Sequence, residues 1–69
     1  MTNPIIGVTC YRFLNSQGYP KQSINESYIH SLLKAGACPV MIPSGLNNTN
    51  IQDLLSHLDG LMLTGGGDI

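Results

Sequence analysis

Apolar positions along the chain fall into short groups whose spacing separates strands from helices. Ile5-Ile6-Gly7-Val8-Thr9 is a β-branched run following Pro4, and a run without polar alternation reads as a strand covered on both faces. Gly7 inside it marks a place where a neighbour packs against the backbone. Pro39-Val40-Met41-Ile42-Pro43 is a second run, confined by a proline at each end, and Leu61-Met62-Leu63-Thr64 is a third. Between the first two, Ile24, Tyr28, Ile29, Leu32, Leu33 and Ala35 share one side of a helix, with Glu26, Ser27, His30 and Lys34 on the other. Ser23-Ile24-Asn25-Glu26 fits a capping box at its start, and Gly36 supplies the left-handed residue at its end. Ile51, Leu54, Leu55 and Leu58 stripe a second helix over 51–58, capped by Asn50 and stopped by Asp59-Gly60.

The predicted order is β-α-β-α-β. Strands apolar on both faces, alternating with helices, imply a parallel α/β sheet with right-handed crossovers. Cys10 to Gln22 reads as a loop, with Asn15, Ser16, Gly18 and Pro20 as turn formers. It is long for a connection in a compact domain, and such loops are often functional. Three parallel strands with free outer edges make a poor stopping place. Residues 1–69 therefore read as the N-terminal portion of a larger domain, or as a small unit that associates with itself.

Composition sharpens this. Only 10% of the residues are charged, against ~25% in ordinary soluble domains, so the surface reads as one that expects cover. Three Lys+Arg against four Asp+Glu give a net charge of −1, with no basic patch for phosphates; nucleic acid is excluded as a partner. No apolar stretch approaches the ~20 residues of a membrane span, and the first residues lack the regions of a signal peptide. The expectation is a cytoplasmic protein with reduced thiols. A chain this short gains only marginal stability alone, and two cysteines do not make a disulfide scaffold. A partner or further chain is the natural support.

In open parallel sheets, ligands sit beyond the carboxyl ends of the strands. Those ends gather Cys10-Tyr11-Arg12, Pro43-Ser44 and Thr64-Gly65-Gly66-Gly67. Glycines leave backbone amides uncovered and free to point at an anion. The candidates are a phosphate and the oxyanion of an acyl-transfer intermediate, with a plain turn after a strand as the bland alternative. The run is not G-x-G-x-x-G, and no Lys-Ser/Thr follows it as in a P-loop. Arg12 is the loop cation at this end; it either holds a substrate carboxylate or is a solvated surface residue. Cys10 has no base beside it in sequence and reads as a structural thiol. Cys38 belongs to the opposite pole of the sheet, ~17 Å away, too far for the ~7 Å that a disulfide allows. His30 and His57 lie on polar helix faces and read as solvated, with Asp53 four residues before His57 as a weak partner. No metal-ligand spacing is present, and no cofactor is expected.

Pro4-Ile5-Ile6-Gly7-Val8-Thr9-Cys10, Ile24-Asn25-Glu26-Ser27-Tyr28, Ala35-Gly36-Ala37-Cys38-Pro39-Val40-Met41-Ile42-Pro43 and Leu58-Asp59-Gly60-Leu61-Met62-Leu63-Thr64-Gly65-Gly66-Gly67-Asp68-Ile69 together resemble the opening of the gamma-glutamyl-gamma-aminobutyrate hydrolase family. That family is part of the class I glutamine amidotransferase-like group (peptidase C26). The resemblance covers essentially the whole chain. It implies a flavodoxin-like sheet and a Cys-His-Glu hydrolase acting on gamma-glutamyl amides through a thioester. It also implies that the Thr-Gly-Gly stretch lies beside the nucleophile and helps form the oxyanion hole, a role that maps onto Gly65, Gly66 and Gly67, with Gly66 first.

The family's nucleophile lies in a G-x-C-x-G elbow, with its His and Glu later still, and none of these occurs in residues 1–69. Neither Cys10 nor Cys38 inherits that role. Three readings follow: part of a gamma-glutamyl hydrolase that contributes the glycine loop and is inactive alone, a small oligomerising α/β binding module without catalysis, or, least favoured, a phosphate-binding module.

Overall fold

A computed structural model describes residues 3–64 of the chain. Strand β1 (Ile5–Thr9) is central. Parallel to it on one side runs β4 (Cys38–Ile42), and on the other β5 (Gly60–Met62). Ile5 pairs with Cys38 and Thr9 with Ile42, while Ile6, Gly7 and Val8 pair with Gly60, Leu61 and Met62. Between β1 and β4 lies α1 (Glu26–Lys34), and between β4 and β5 lies α2 (Asn48–Leu55). The expected parallel α/β sheet is present, in the order β4-β1-β5, compatible with part of a flavodoxin-like fold. The chain moves from β1 to β4 and then crosses back over β1 to β5. Right-handed crossovers in these two directions put α1 and α2 on opposite faces of the sheet.

Close packing is concentrated on β1. Val8 is 1% exposed and is the most buried side chain among the described residues. Gly7, on the other face, is pressed by the turn beyond α2: a Cβ built on it would lie 2.6 Å from Leu58 Cδ1 and 3.0 Å from Ile42 Cγ1. This is the close approach that a glycine within a strand signals. The flanking strands depart from expectation. Val40, Met41 and Leu61 stay exposed, as does Leu33 on α1, because one helix per face covers the central strand and little beyond it. On β4, Cys38 donates its N–H to the Pro4 carbonyl, so alternation turns Pro39 outward. Pro39 has no N–H to offer there, which suits β4 to the edge of a sheet.

The segment read as a loop over Cys10 to Gln22 is instead an antiparallel hairpin. Strand β2 (Tyr11–Leu14) pairs with β3 (Pro20–Ser23), with Arg12 opposite Gln22. Its tip is closed by Asn15, whose Oδ1 accepts from the N–H groups of Gln17 and Tyr19, while Gly18 adopts φ +82°. Asn15, Ser16 and Gly18 form the turn as expected, whereas Pro20 opens β3; the strands pair because Asn15 joins them in register. Pro20 is tolerated because it opens an edge strand.

Ser23 is consumed by that ladder, opposite Tyr11, so it does not cap α1. Asn25 does, accepting from Ser27 N–H at 3.0 Å. At the other end the expectation for Gly36 holds. It has φ +88° and donates to Leu33 O, and Ala37 donates to Leu32 O, the two bonds of a Schellman close. The second helix begins earlier than expected, with Asn47 rather than Asn50 as cap; Asn50 N–H is the group it receives, at 2.8 Å. It also ends earlier, at Leu55, and tighter turns carry His57 and Leu58 down toward the sheet. His57 thus leaves the helical register with Asp53, and no ion pair joins them among the described residues. No described helix is long and apolar enough to cross a membrane.

Candidate functional site

The order β4-β1-β5 places the topological switch point beside β1, where the chain leaves toward one neighbour and returns to the other. Crevices at the carboxyl ends of strands at such points are the usual ligand sites of open α/β sheets. Three segments converge there: Cys10 with the hairpin, Pro43-Ser44 after β4, and Thr64 after β5.

Thr9 and Thr64 tie β1 and β5 together across this point. Thr64 donates its N–H to Thr9 Oγ1 at 3.0 Å, and Thr64 Oγ1 donates to the Thr9 carbonyl at 2.6 Å. Both bonds are partly buried, where a hydrogen bond is less exposed to competition from water. They fix the backbone one residue before Gly65. Gly65, Gly66 and Gly67, the sequence-predicted donors, lie outside the described residues, as does the end of the run at Ile69. At the opposite pole Asp59 performs a matching service for β5, accepting Ile5 N–H at 2.7 Å on Oδ2 and donating its own N–H to Ile5 O.

The hairpin is fastened to the same end of the sheet. Cys10 N–H donates to Ile42 O, extending the β1–β4 ladder by one residue. Gln22 Oε1 accepts from Ser44 N–H at 2.7 Å, and its Nε2 donates to Ser44 O at 3.2 Å. Gly45, next in line, has φ +94°, a conformation glycine adopts without strain. Arg12 sits directly across the hairpin from Gln22 and is exposed. Cross-strand partners project from the same face of a ladder, so the guanidinium and the carboxamide share a side.

Among the other sequence candidates, Cys10 is half-buried and Cys38 is exposed; both are free thiols. The register sets Cys38 beside Ile5 and leaves Cys10 one residue past Thr9, at opposite poles as expected. His30 and His57 are exposed and away from the switch point. Among the described residues no three His, Cys, Asp or Glu side chains gather as a metal-binding group.

An apolar groove of about 250 Å³ opens between α2 and the sheet, lined by residues including Thr9, Ile42, Ile51, Leu54, Leu58 and Leu63. No charged residue lines it. It suits packing rather than the recognition of an anionic substrate.

Ser44 and Thr64 belong to the segments the sequence gathers at the strand ends, whereas Thr9 and Gln22 were missed. Thr9 had a readable signal: it closes an apolar strand and immediately precedes a candidate segment, Cys10-Tyr11-Arg12. Gln22 had none, because its partner is a main-chain group 22 positions away.

Known proteins are similar in sequence to this chain along most of its length. The family model described as Peptidase C26 matches residues 4–69. Gamma-glutamyl-gamma-aminobutyrate hydrolase PuuD of Escherichia coli K12 is 35% identical over 66 residues, covering 94% of this chain and 26% of that protein. The gamma-glutamyl-gamma-aminobutyrate hydrolase of Shigella sonnei matches to the same extent, and that of Shigella flexneri is 34% identical over 64 residues, covering 91% of this chain and 25% of its own length. The chain thus spans about a quarter of the curated relatives it matches. With the family match running through nearly every described residue, the chain belongs to the peptidase C26 family.

Proposed function

We propose that the chain supplies the oxyanion-binding glycine loop of a gamma-glutamyl amide hydrolase and is inactive by itself. In such a reaction a cysteine thiolate attacks the γ-carbonyl carbon, and the carbonyl oxygen takes up the negative charge. Collapse of that intermediate breaks the C–N bond, the amine leaves with a proton, and a thioester remains. Water then attacks the thioester, releasing glutamate and the thiol. Each tetrahedral intermediate needs preorganised donors, and one such donor is worth about 10²–10³ in rate. Gly65, Gly66 and Gly67 are the proposed source, with Gly66 first, and Arg12 is the proposed contact for a substrate carboxylate. The nucleophile, its histidine and its glutamate are not among residues 1–69, so these donors alone have no intermediate to stabilise.

The observation that carries this reading is the pair of Thr9–Thr64 hydrogen bonds. They hold Thr64, the residue that precedes the glycine run in sequence, at the carboxyl end of the central strand, beside the switch point. The names of the relatives support gamma-glutamyl amides as the substrate class.

The test has two arms. Residues 1–69 alone release no glutamate from gamma-glutamyl-gamma-aminobutyrate. Residues 4–69, placed in the Escherichia coli relative instead of the segment they match, give a protein that does. Turnover by the 69-residue chain, or a folded but inactive hybrid, overturns the reading. A second reading, a self-associating module without catalysis, draws on the exposed Leu33, Met41 and Leu63. It predicts a discrete folded dimer in light scattering and an inactive hybrid.

A further inference from the structure

We infer that Gln22 is a positioning residue that holds Arg12 over the carboxyl end of the sheet, making the hairpin the carboxylate-recognition arm of the site. This rests on the proposed contact between Arg12 and a gamma-glutamyl substrate, and names the device that makes such a contact effective.

Little else restrains the hairpin. A two-stranded hairpin is marginally stable in water without a face packed on something. Here all four residues of β2 are exposed, Leu14 by 61%, and Tyr19 at the tip is exposed by 62%. Tyr11 and Phe13 pack on one another, ring centroids 6.1 Å apart, on the face away from Arg12. Burial therefore does not fix the orientation of the arm. Its base is held by Cys10 N–H on Ile42 O. Further out, the two-point bond of the Gln22 carboxamide to the Ser44 main chain is the long-range side-chain attachment of the hairpin among the described residues.

That attachment has the right form for positioning. One carboxamide satisfies both the N–H and the C=O of a single residue, which fixes direction as well as distance. Arg12 is the residue directly opposite Gln22, so the part of the arm that is locked is the part that carries the guanidinium. An arginine on a loose arm meets a carboxylate only in the fraction of molecules with the arm in place, and its apparent affinity falls by that fraction. Losing two hydrogen bonds of ordinary strength makes the docked state about tenfold rarer or more.

The experiment titrates the isotopically labelled chain with gamma-glutamyl-gamma-aminobutyrate and follows the Arg12 Nε–H resonance. The wild-type signal shifts to saturation. Gln22→Leu, similar in size but unable to bond Ser44, raises the midpoint about tenfold, while the Gln17 and Tyr19 amides keep the resonances of an intact hairpin tip. The double variant Arg12→Gln/Gln22→Leu, followed at the Ser44 amide, binds no more weakly than Arg12→Gln alone. That non-additivity is not expected of two independent structural losses. If Arg12→Gln leaves the midpoint unchanged, the contact between Arg12 and substrate fails and the inference fails with it. If Arg12→Gln abolishes binding but Gln22→Leu does not move the midpoint, Arg12 binds substrate and Gln22 does not position it. Additive losses in the double variant likewise overturn the positioning role.

Discussion

Thr9→Val probes the link between the sheet and the glycine run with the smallest change of shape. Valine keeps the β-branch and replaces the hydroxyl with a methyl group, so packing beside Ile42 is nearly preserved. What is lost is the acceptor for Thr64 N–H, a 3.0 Å bond. The reciprocal bond from Thr64 Oγ1 to the Thr9 carbonyl survives, because it uses the main chain. A partly buried amide left without a partner costs about 1–3 kcal/mol. Divided by 1.4 kcal/mol per decade, the lower half of that range already gives about tenfold in the local opening equilibrium. Amide hydrogen exchange reads this directly. Thr64 exchanges about tenfold or more faster in Thr9→Val, while Ile51, whose N–H donates to the carbonyl of the cap Asn47, is little changed. Equal protection of Thr64 in the two proteins would refute the reasoning: the hydroxyl would then not anchor the strand, and the glycine run would not be held from this side. Equal acceleration at Ile51 would also refute it, by showing a global rather than local loss.

Two other substitutions test the scaffold. Gly7→Ala puts a methyl group within 2.6 Å of Leu58 Cδ1 and 3.0 Å of Ile42 Cγ1; Leu58 can rotate away but Ile42 is held in the ladder, so urea denaturation shows a loss of about 1–3 kcal/mol. Gly36→Ala meets open space but must adopt φ +88°, costing about 1–2 kcal/mol from backbone strain alone. An unchanged midpoint at position 36 would contradict the Schellman close of α1.

The sequence reveals much of the scaffold because its signals are local. Ile5 to Thr9 and Val40 to Ile42 are too apolar and β-branched to be anything but strands, and Gly36 closes α1 as its position suggests. Caps are less legible, since several polar residues compete for each role. Ser23 looks like a cap until pairing with Tyr11 removes it, and Asn47 and Asn50 differ only in which reaches the first turn. The hairpin is hidden for a different reason. Tyr11-Arg12-Phe13-Leu14 has no clear alternation, and its pairing depends on Asn15 organising the tip. The proposed site is named in the sequence by its chemistry, through the glycine run and Arg12. The geometry around it was illegible, since the bonds of Thr9 to Thr64 and Gln22 to Ser44 exist only once distant segments meet.

The most direct measurement of the central claim is kcat for Gly66→Pro in the hybrid that carries residues 4–69 in the Escherichia coli relative. Proline removes the backbone N–H at that position, so a lost oxyanion donor lowers kcat about 10²–10³-fold while KM for gamma-glutamyl-gamma-aminobutyrate stays within a few-fold. Gly65→Pro and Gly67→Pro, measured alongside, fix the register of the donor. If all three variants turn over at the parent rate, no amide of the glycine run receives charge in the transition state, and the account is wrong.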